Sequence, residues 1–308
     1  MARIRKILVP IDFSEPSRKA LPHTRELANR FDSEIVILHV RTPYADDPNR
    51  PELRFLDEGK YQAWTEEQVD RLSKEIEEHH RVSTRIIRDI SPASGILEYL
   101  DADSNEIDFV VMGTHGRSAL GHFFLGSVAE KVVRHSPCPV LTVASNRKDY
   151  RDSPRYKKIL VGFDFSDHSK HAVANARELV KKYDAHLIVL YVIEQEIAPA
   201  YYEIWRTEVN RELPEIKERA RQALEQTLGE VGLDDIEFDV EVGGGDGRAH
   251  QEIVKFIKDH DVDLVVLGTH GLSGIERVLL GSTTEKVVRI APCPVLTFHL
   301  ERGLIEKN

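Results

Sequence analysis

One pattern occurs twice, and a chain that repeats itself over most of its length must fold as two copies of one unit. Gly113 to Ser127 reads GTHGRSALGHFFLGS, and Gly268 to Ser282 reads GTHGLSGIERVLLGS. In both, two residues part the first glycine pair and nine more precede a Gly-Ser pair. Upstream stand the β-branched runs Asp108-Phe-Val-Val-Met and Asp263-Leu-Val-Val-Leu. Downstream, Glu130-Lys-Val-Val-Arg and Glu285-Lys-Val-Val-Arg lead to Pro137-Cys-Pro-Val-Leu-Thr and Pro292-Cys-Pro-Val-Leu-Thr. Each copy therefore reads as a buried strand, a glycine-bearing loop, a helix opening at Gly-Ser, and a further strand.

Such a loop suits anion capture. Glycine permits positive φ and carries no Cβ, so backbone N–H groups can approach a ligand closely. Gly126-Ser127 and Gly281-Ser282 fall where a helix begins, with unsatisfied N–H groups and the positive end of the helix dipole facing outward. The serines are either donors to phosphate or plain N-caps that bind nothing. Repetition of the spacing behind two buried strands favours phosphate.

The 308 residues suit two domains of about 150 each. A hydrophobic fraction of 41% with 31% charged residues marks a folded, soluble chain, and the net charge of −10 without a basic block argues against nucleic acid. No stretch approaches 18 consecutive apolar residues, and Met1-Ala-Arg-Ile-Arg-Lys runs straight into a strand. The expectation is a cytoplasmic protein without membrane attachment. Cys138 and Cys293 occupy equivalent points of the repeat and lack partners for a disulfide or a metal, so both are read as buried thiols.

In chain order, Ile4 to Ile11 forms an apolar strand closed by Asp12-Phe-Ser, which is helix-start chemistry. The next helix carries Ala20, Leu21, Thr24, Leu27, Ala28 and Phe31 on one face. Glu34 to Val40 is a second strand, apolar without alternation, as parallel sheets covered on both faces require. Pro43 to Lys60 reads as an exposed loop, followed by a helix through Val69, Leu72 and Ile76, a strand from Ser83, a helix from Ala93, and strands at Asp108 and Val140. Asn146 to Pro154 reads as the linker between domains at 1–147 and 155–302. Then Lys157-Lys-Ile-Leu-Val-Gly-Phe-Asp-Phe-Ser restarts the programme, with Asp164 standing 152 residues after Asp12. Tyr201 to Glu230 is helical, with Pro214 expected to start a new helix or kink the first. Strands and right-handed helical crossovers in alternation predict an α/β fold, two tandem doubly wound parallel five-stranded sheets. Strand order 3-2-1-4-5, assumed because it brings the motifs together, sets the aspartate that ends strand one against the glycine loop that follows strand four.

These residues resemble the universal stress proteins. Val-Pro-Ile-Asp-Phe-Ser, Met-Gly-Thr-His-Gly, the Gly-x2-Gly-x9-Gly-Ser spacing and Pro-Cys-Pro-Val-Leu carry the likeness, which covers nearly the whole chain twice. The resemblance implies an adenine nucleotide alpha hydrolase-like fold of the ATP-binding branch, with ATP or another adenine nucleotide, with or without Mg2+, in each crevice. Pro10, Ile11 and Asp12, and Gly162, Phe163 and Asp164, would lie by base and ribose. Val40 and Val192 would meet adenine through their backbone. In the first half Met112, Gly113, His115, Gly116, Arg117, Gly126, Ser127, Val128 and Ala129 would hold ribose and phosphates. In the second, Leu267, Gly268, His270, Gly271, Gly281, Ser282, Thr283 and Thr284 would do so. Two departures point to a weaker second site: Gly162-Phe163 replaces Pro-Ile and loosens the base pocket, and Leu272 stands in place of Arg117.

Other readings compete. Asp12 and Asp164 could be N-caps. His115 and His270 are better read as loop histidines packed beside a strand end than as catalytic bases, because no nucleophile with a third partner accompanies them, and neither has metal-ligand neighbours. Gly243-Gly-Gly-Asp-Gly lacks a counterpart in the first half and is read as a flexible strand–helix connection. Three function classes follow: a nucleotide-binding stress or signalling protein acting through protein partners, an enzyme such as a slow ATPase, and a nucleotide-free interaction module. The chain lacks the Gly-x4-Gly-Lys-Ser/Thr loop, whose lysine would reach terminal phosphates, so the first is preferred.

Each fifth strand would leave an open edge, which the two halves of one chain could satisfy internally as a pseudo-dimer, with homodimerisation left open. Residues 1–147 expressed alone should then self-associate at high concentration in analytical ultracentrifugation. A half that stays monomeric throughout rules out edge pairing as what joins the domains.

Overall fold

The computed structural model describes residues 4–42, 58–77, 79–114, 125–144, 154–194, 202–244, 248–269 and 280–300. They part into two compact units between Arg155 and Tyr156. The linker expected at 146–154 falls, except for Pro154, outside the described residues, as does most of the segment from Pro43 to Lys60.

The first unit contains strands β1 (Lys6–Pro10), β2 (Glu34–Arg41), β3 (Val82–Arg88), β4 (Phe109–Gly113) and β5 (Val140–Val143). Its helices are α1 (Glu15–Arg18), α2 (Ala20–Phe31), α3 (Glu58–Glu77), α4 (Pro92–Asp101) and α5 (Ser127–His135). The strand order is β3-β2-β1-β4-β5, all parallel, with Lys6 opposite Glu34, Ile7 opposite Phe109 and Val110 opposite Val140. Winding therefore reverses between β1 and β4, the place where ligands sit in open α/β sheets.

The second unit repeats the plan with β6 (Lys158–Phe163), β7 (His186–Ile193), β8 (Phe238–Gly244), β9 (Leu264–Gly268) and β10 (Val295–Phe298). Its helices are α6 (Asp167–Tyr183), α7 (Tyr202–Val231), α8 (Ala249–Asp259) and α9 (Ser282–Ile290). The order is β8-β7-β6-β9-β10, again parallel.

Helices cover both faces of each sheet, so consecutive strand residues are buried. Ile7, Leu8 and Val9, like Ile159, Leu160 and Val161, expose nothing to solvent. Each such side chain contributes about 1.5–3 kcal/mol on burial. Cys138 and Cys293 lie in this core as free thiols. The aspartates that open the repeated Asp-x-Val-Val strands fasten the lower end of the switch point. Asp108 Oδ2 accepts from the N–H groups of Arg5 (2.8 Å) and Lys6 (2.9 Å), and Asp263 Oδ2 accepts from those of Lys157 (2.9 Å) and Lys158 (3.0 Å).

Four local readings need correction. The single helix expected after strand one is two in the first unit, α1 and α2 meeting at Lys19, whereas α6 is continuous. Pro22 in α2 has no N–H to return to the preceding turn, and Ala174 stands at its position in α6. The segment read as loop up to Lys60 is already helical from Glu58. Helix α7 runs unbroken through Pro214 instead of starting anew there. Of the run read as a strand–helix connection, Gly243 and Gly244 belong to the end of β8, and Gly245, Asp246 and Gly247 lie outside the described residues. Gly244 has a φ of +112°, and a Cβ there would lie 2.4 Å from the Ile193 carbonyl oxygen.

A close approach of helix to strand falls at the switch point of each unit. A Cβ on Gly113 would lie 2.5 Å from the Pro16 carbonyl oxygen, and one on Gly268 would lie 2.8 Å from His168 Cβ and 3.0 Å from its carbonyl carbon. The start of the first helix in each unit thus rests on the last residue of the fourth strand. Gly113→Ala should cost about 1–3 kcal/mol, because carbonyl and helix must shift. Gly229→Ala in α7, where nothing lies within 4 Å of the new carbon, should gain up to about 1 kcal/mol. Urea denaturation of both variants checks this, and a Gly113→Ala protein as stable as the parent contradicts it.

Candidate functional site

At the carboxyl end of β1 the chain leaves the sheet through Ile11, Asp12 and Phe13. Asp12 Oδ1 accepts from the Ser14 N–H (3.0 Å) and the Ser14 hydroxyl (2.6 Å), an Asx turn that closes on the next residue but one. The Ser14 hydroxyl in turn accepts from the Ser17 N–H at 3.3 Å and caps α1. The second unit repeats this. Asp164 Oδ1 accepts from Ser166 N–H (3.0 Å) and hydroxyl (2.5 Å), and Ser166 caps α6 through Ser169. The aspartates are therefore not the N-caps. They hold the serines that are.

The residue between aspartate and cap takes a left-handed backbone in both units, Phe13 at φ 65° and Phe165 at φ 66°. That conformation is uncommon for a bulky side chain. It turns the ring sideways onto the neighbouring strand: Phe13 lies 4.5 Å from the His39 ring and 5.5 Å from Trp64, and Phe165 lies 5.0 Å from Tyr191. His39 Nδ1 is 2.7 Å from the Ile11 carbonyl oxygen, tying β2 to the exit of β1. None of Ser14, Phe13, His39 or their counterparts was singled out from sequence, although the repeated Asp-Phe-Ser was visible.

Beside this turn, β4 ends at Gly113. Thr114 donates its N–H to Val143 O (3.0 Å), and its own carbonyl accepts from Gly126 N–H (2.8 Å). Thr269 does the same with Phe298 (3.0 Å) and Gly281 (2.8 Å). The two ends of the glycine-rich segment are thereby pinned together. His115, Gly116 and Arg117, and His270, Gly271 and Leu272, lie outside the described residues.

Helices α5 and α9 open on Gly126 (φ −62°) and Gly281 (φ −54°), and no side chain caps either. By contrast α1, α4 and α6 open on Ser14, Ser91 and Ser166, each accepting from its own first turn. Ser127 and Ser282 are the first helical residues, exposed, and not N-caps. Since φ is negative at both glycines, a left-handed backbone is not why glycine stands there. What glycine removes is the side chain, leaving the N–H groups of Ser127, Val128 and Ala129, and of Ser282, Thr283 and Thr284, bare at the positive end of a helix. Such an end accepts an anion.

The remaining residues of the expected sites cluster at the same strand ends. Val40 and Val192 are buried (9% and 7% exposed) opposite Ile87 and Gly243. Pro10, Ile11, Met112 and Leu267 sit at the strand ends of the crevice floors, with Ile11, Met112 and Leu267 each about 4% exposed. The Gly162-Phe163 departure leaves no gap. Leu267 Cδ2 lies 2.5 Å from where a Cβ on Gly162 would be, and Phe163 is buried with its ring 5.3 Å from Phe165. The Thr284 hydroxyl turns inward to the Gly268 carbonyl (2.8 Å), so only its N–H is offered at the helix end. Among the described residues no group of three or more His, Cys, Asp or Glu side chains could hold a metal ion.

The family model for "Universal stress protein family" matches residues 3–144 and again 155–299. The chain belongs to the universal stress protein family. A universal stress protein of Methanocaldococcus jannaschii is 34% identical over 141 residues, 46% of this chain and 81% of that one. One from Mycobacterium bovis is 32% identical over 198 residues, 63% of this chain and 62% of that one, so the match spans less than two thirds of the mycobacterial protein. The crystal structure of a universal stress protein from Archaeoglobus fulgidus superposes with a TM-score of 0.66 at 23% identity, covering 96% of this chain and 98% of the other. That likeness confirms the tandem α/β fold. No described helix is long and apolar enough to cross a membrane.

If the glycines and not the serines open α5 and α9, Ser127→Ala and Ser282→Ala should change stability by less than about 0.5 kcal/mol. Ser14→Ala, which loses a cap and the partner of Asp12, should cost about 1 kcal/mol. Thermal melts of the three variants decide between the two assignments.

Proposed function

We propose that this universal stress protein binds an adenine nucleotide, ATP foremost, in each of its two halves, and acts in stress response or signalling through protein partners instead of through turnover. One observation carries the reading. In both units a helix with a bare, glycine-opened N-terminus stands directly after the fourth strand, beside the aspartate turn that ends the first. The bare N–H groups fit phosphate, and the acidic turn beside them fits the hydroxyl donors of ribose. Asp12, Val40, Gly113, Gly126 and Ser127 would hold one nucleotide, and Asp164, Val192, Gly268, Gly281 and Ser282 the other. A bound nucleotide would supply the signal that partners read, and Mg2+ would accompany its phosphates without a dedicated protein cage.

Slow ATP hydrolysis is the second reading. Against rapid turnover stands the absence, among the described residues at the switch point, of a lysine aimed at terminal phosphates or a nucleophile–base pair.

The test is titration calorimetry with ATP. Gly126→Val and Gly281→Val keep a backbone conformation open to any residue, yet set branched carbons over the bare N–H groups. The parent should bind two ATP per chain and each variant one, with circular dichroism unchanged. Steady-state hydrolysis should stay well below the roughly 1–10³ s⁻¹ of ordinary enzymes. No ATP binding by the parent overturns the reading, and ordinary enzymatic turnover favours the ATPase.

A further inference from the structure

The two phosphate-facing helix ends are not anchored alike. Resting on the reading of two nucleotide crevices, we infer that Thr284 is a positioning residue that fixes the second cradle before ligand arrives, a device the first half lacks. The Thr284 side chain is buried (6% exposed) and its hydroxyl donates to the Gly268 carbonyl at 2.8 Å. Gly268 ends β9, and Thr284 is the third residue of α9. One hydrogen bond therefore joins the strand that delivers the glycine-rich segment to the helix turn that receives it.

At the equivalent place in the first unit stands Ala129, buried (2% exposed) and without a hydroxyl to give Gly113. A second fastening differs in the same direction. Thr269 Oγ1 lies 3.1 Å from His299 Nδ1, whereas at the place of His299 the first unit has Ala144, and Thr114 Oγ1 donates to the Val143 carbonyl at 3.5 Å. The foot of the second segment is thus held by side-chain bonds on both sides.

This has a consequence for affinity. Binding costs the ordering of the groups that bind, and a helix end already fixed to its strand has less to lose. The second crevice lacks the cation that Arg117 could bring, and the threonine tie offsets that loss by preorganisation. The two crevices then differ in how they hold phosphate: the first with a side-chain cation, the second with a stiffer backbone cradle.

The experiment uses the full chain with the first crevice blocked by Gly126→Val, so that ATP reports on the second alone. Thr284→Val in that background keeps the shape of the side chain and removes the bond. ATP affinity should fall about 3–10-fold, the worth of one neutral hydrogen bond, and Thr284→Ser should restore most of it. Amide exchange at Ser282 and Thr283 without nucleotide should quicken in the valine variant and not in the serine variant. The converse, Ala129→Thr in a Gly281→Val background, tests the idea without removing a buried bond and should tighten ATP in the first crevice. Unchanged ATP affinity in both Thr284→Val and Ala129→Thr overturns the role assigned to Thr284 while leaving two nucleotide sites. A Gly126→Val chain that binds no ATP overturns the second site itself.

Discussion

The arrangement depends on one steric constraint, the contact of the first helix with the end of the fourth strand. Gly113 comes so close to Pro16, and Gly268 to His168, that no other residue fits without displacing backbone. This contact sets the Asp-Phe-Ser turn at the switch point, beside the strand end from which the glycine-rich segment departs. The pairing of β1 with β4 alone would leave the two loops free to splay apart. With the helix resting on the strand end, the aspartate turn is held at the carboxyl ends of β1 and β4, beside which ligands sit in open α/β sheets. The first motif glycine therefore serves the fold first, whatever ligand its N–H meets.

Around that contact, the polar groups of both Asp-Phe-Ser turns and of Thr114 and Thr269 have internal tasks. Asp12 and Asp164 each hold a serine, the serines hold their helices, and Thr114 and Thr269 close the segment that leaves and returns. The exceptions are the first-turn N–H groups of α5 and α9. Helices α1, α4 and α6 open on a capping serine, whereas α2 opens on Lys19 and α8 on Arg248; at α5 and α9 the cap is a glycine at the same place in both units. Glycine in place of serine at such a cap costs only about a few tenths of a kcal/mol at each helix. Its repetition in both units supports the proposed anion site.

Much of this was legible in the sequence because the duplication supplied its own control. The strands are continuous apolar runs, and the order 3-2-1-4-5 was the one arrangement that joined the aspartate to the glycines. What escaped was decided by contacts outside the periodic pattern. The caps lie at neither of the alternatives the sequence offered: Ser14 stands two positions after Asp12, and Gly126 one before Ser127. An aspartate before Phe-Ser and a serine after glycine each look like a cap on propensity alone, and hydrogen-bond geometry chose Ser14 and Gly126. The break between α1 and α2 was written in Pro22 and overlooked, whereas of the two outcomes expected at Pro214 a new helix start is excluded, since α7 runs through it. The loss of Pro10 and Ile11 in the second half reads as a gap in sequence. In space Leu267 and Phe163 fill it.

The central claim is that the bare first turns of α5 and α9 receive phosphate. Hydrogen–deuterium exchange resolved to single amides, with and without saturating ATP, addresses it most directly. The account predicts that ATP slows exchange at Ser127, Val128 and Ala129 and at Ser282, Thr283 and Thr284 together, while the serine-capped first turns of α4 and α6 are unaffected. Exchange that ATP leaves unchanged at both glycine-opened helix ends would contradict it.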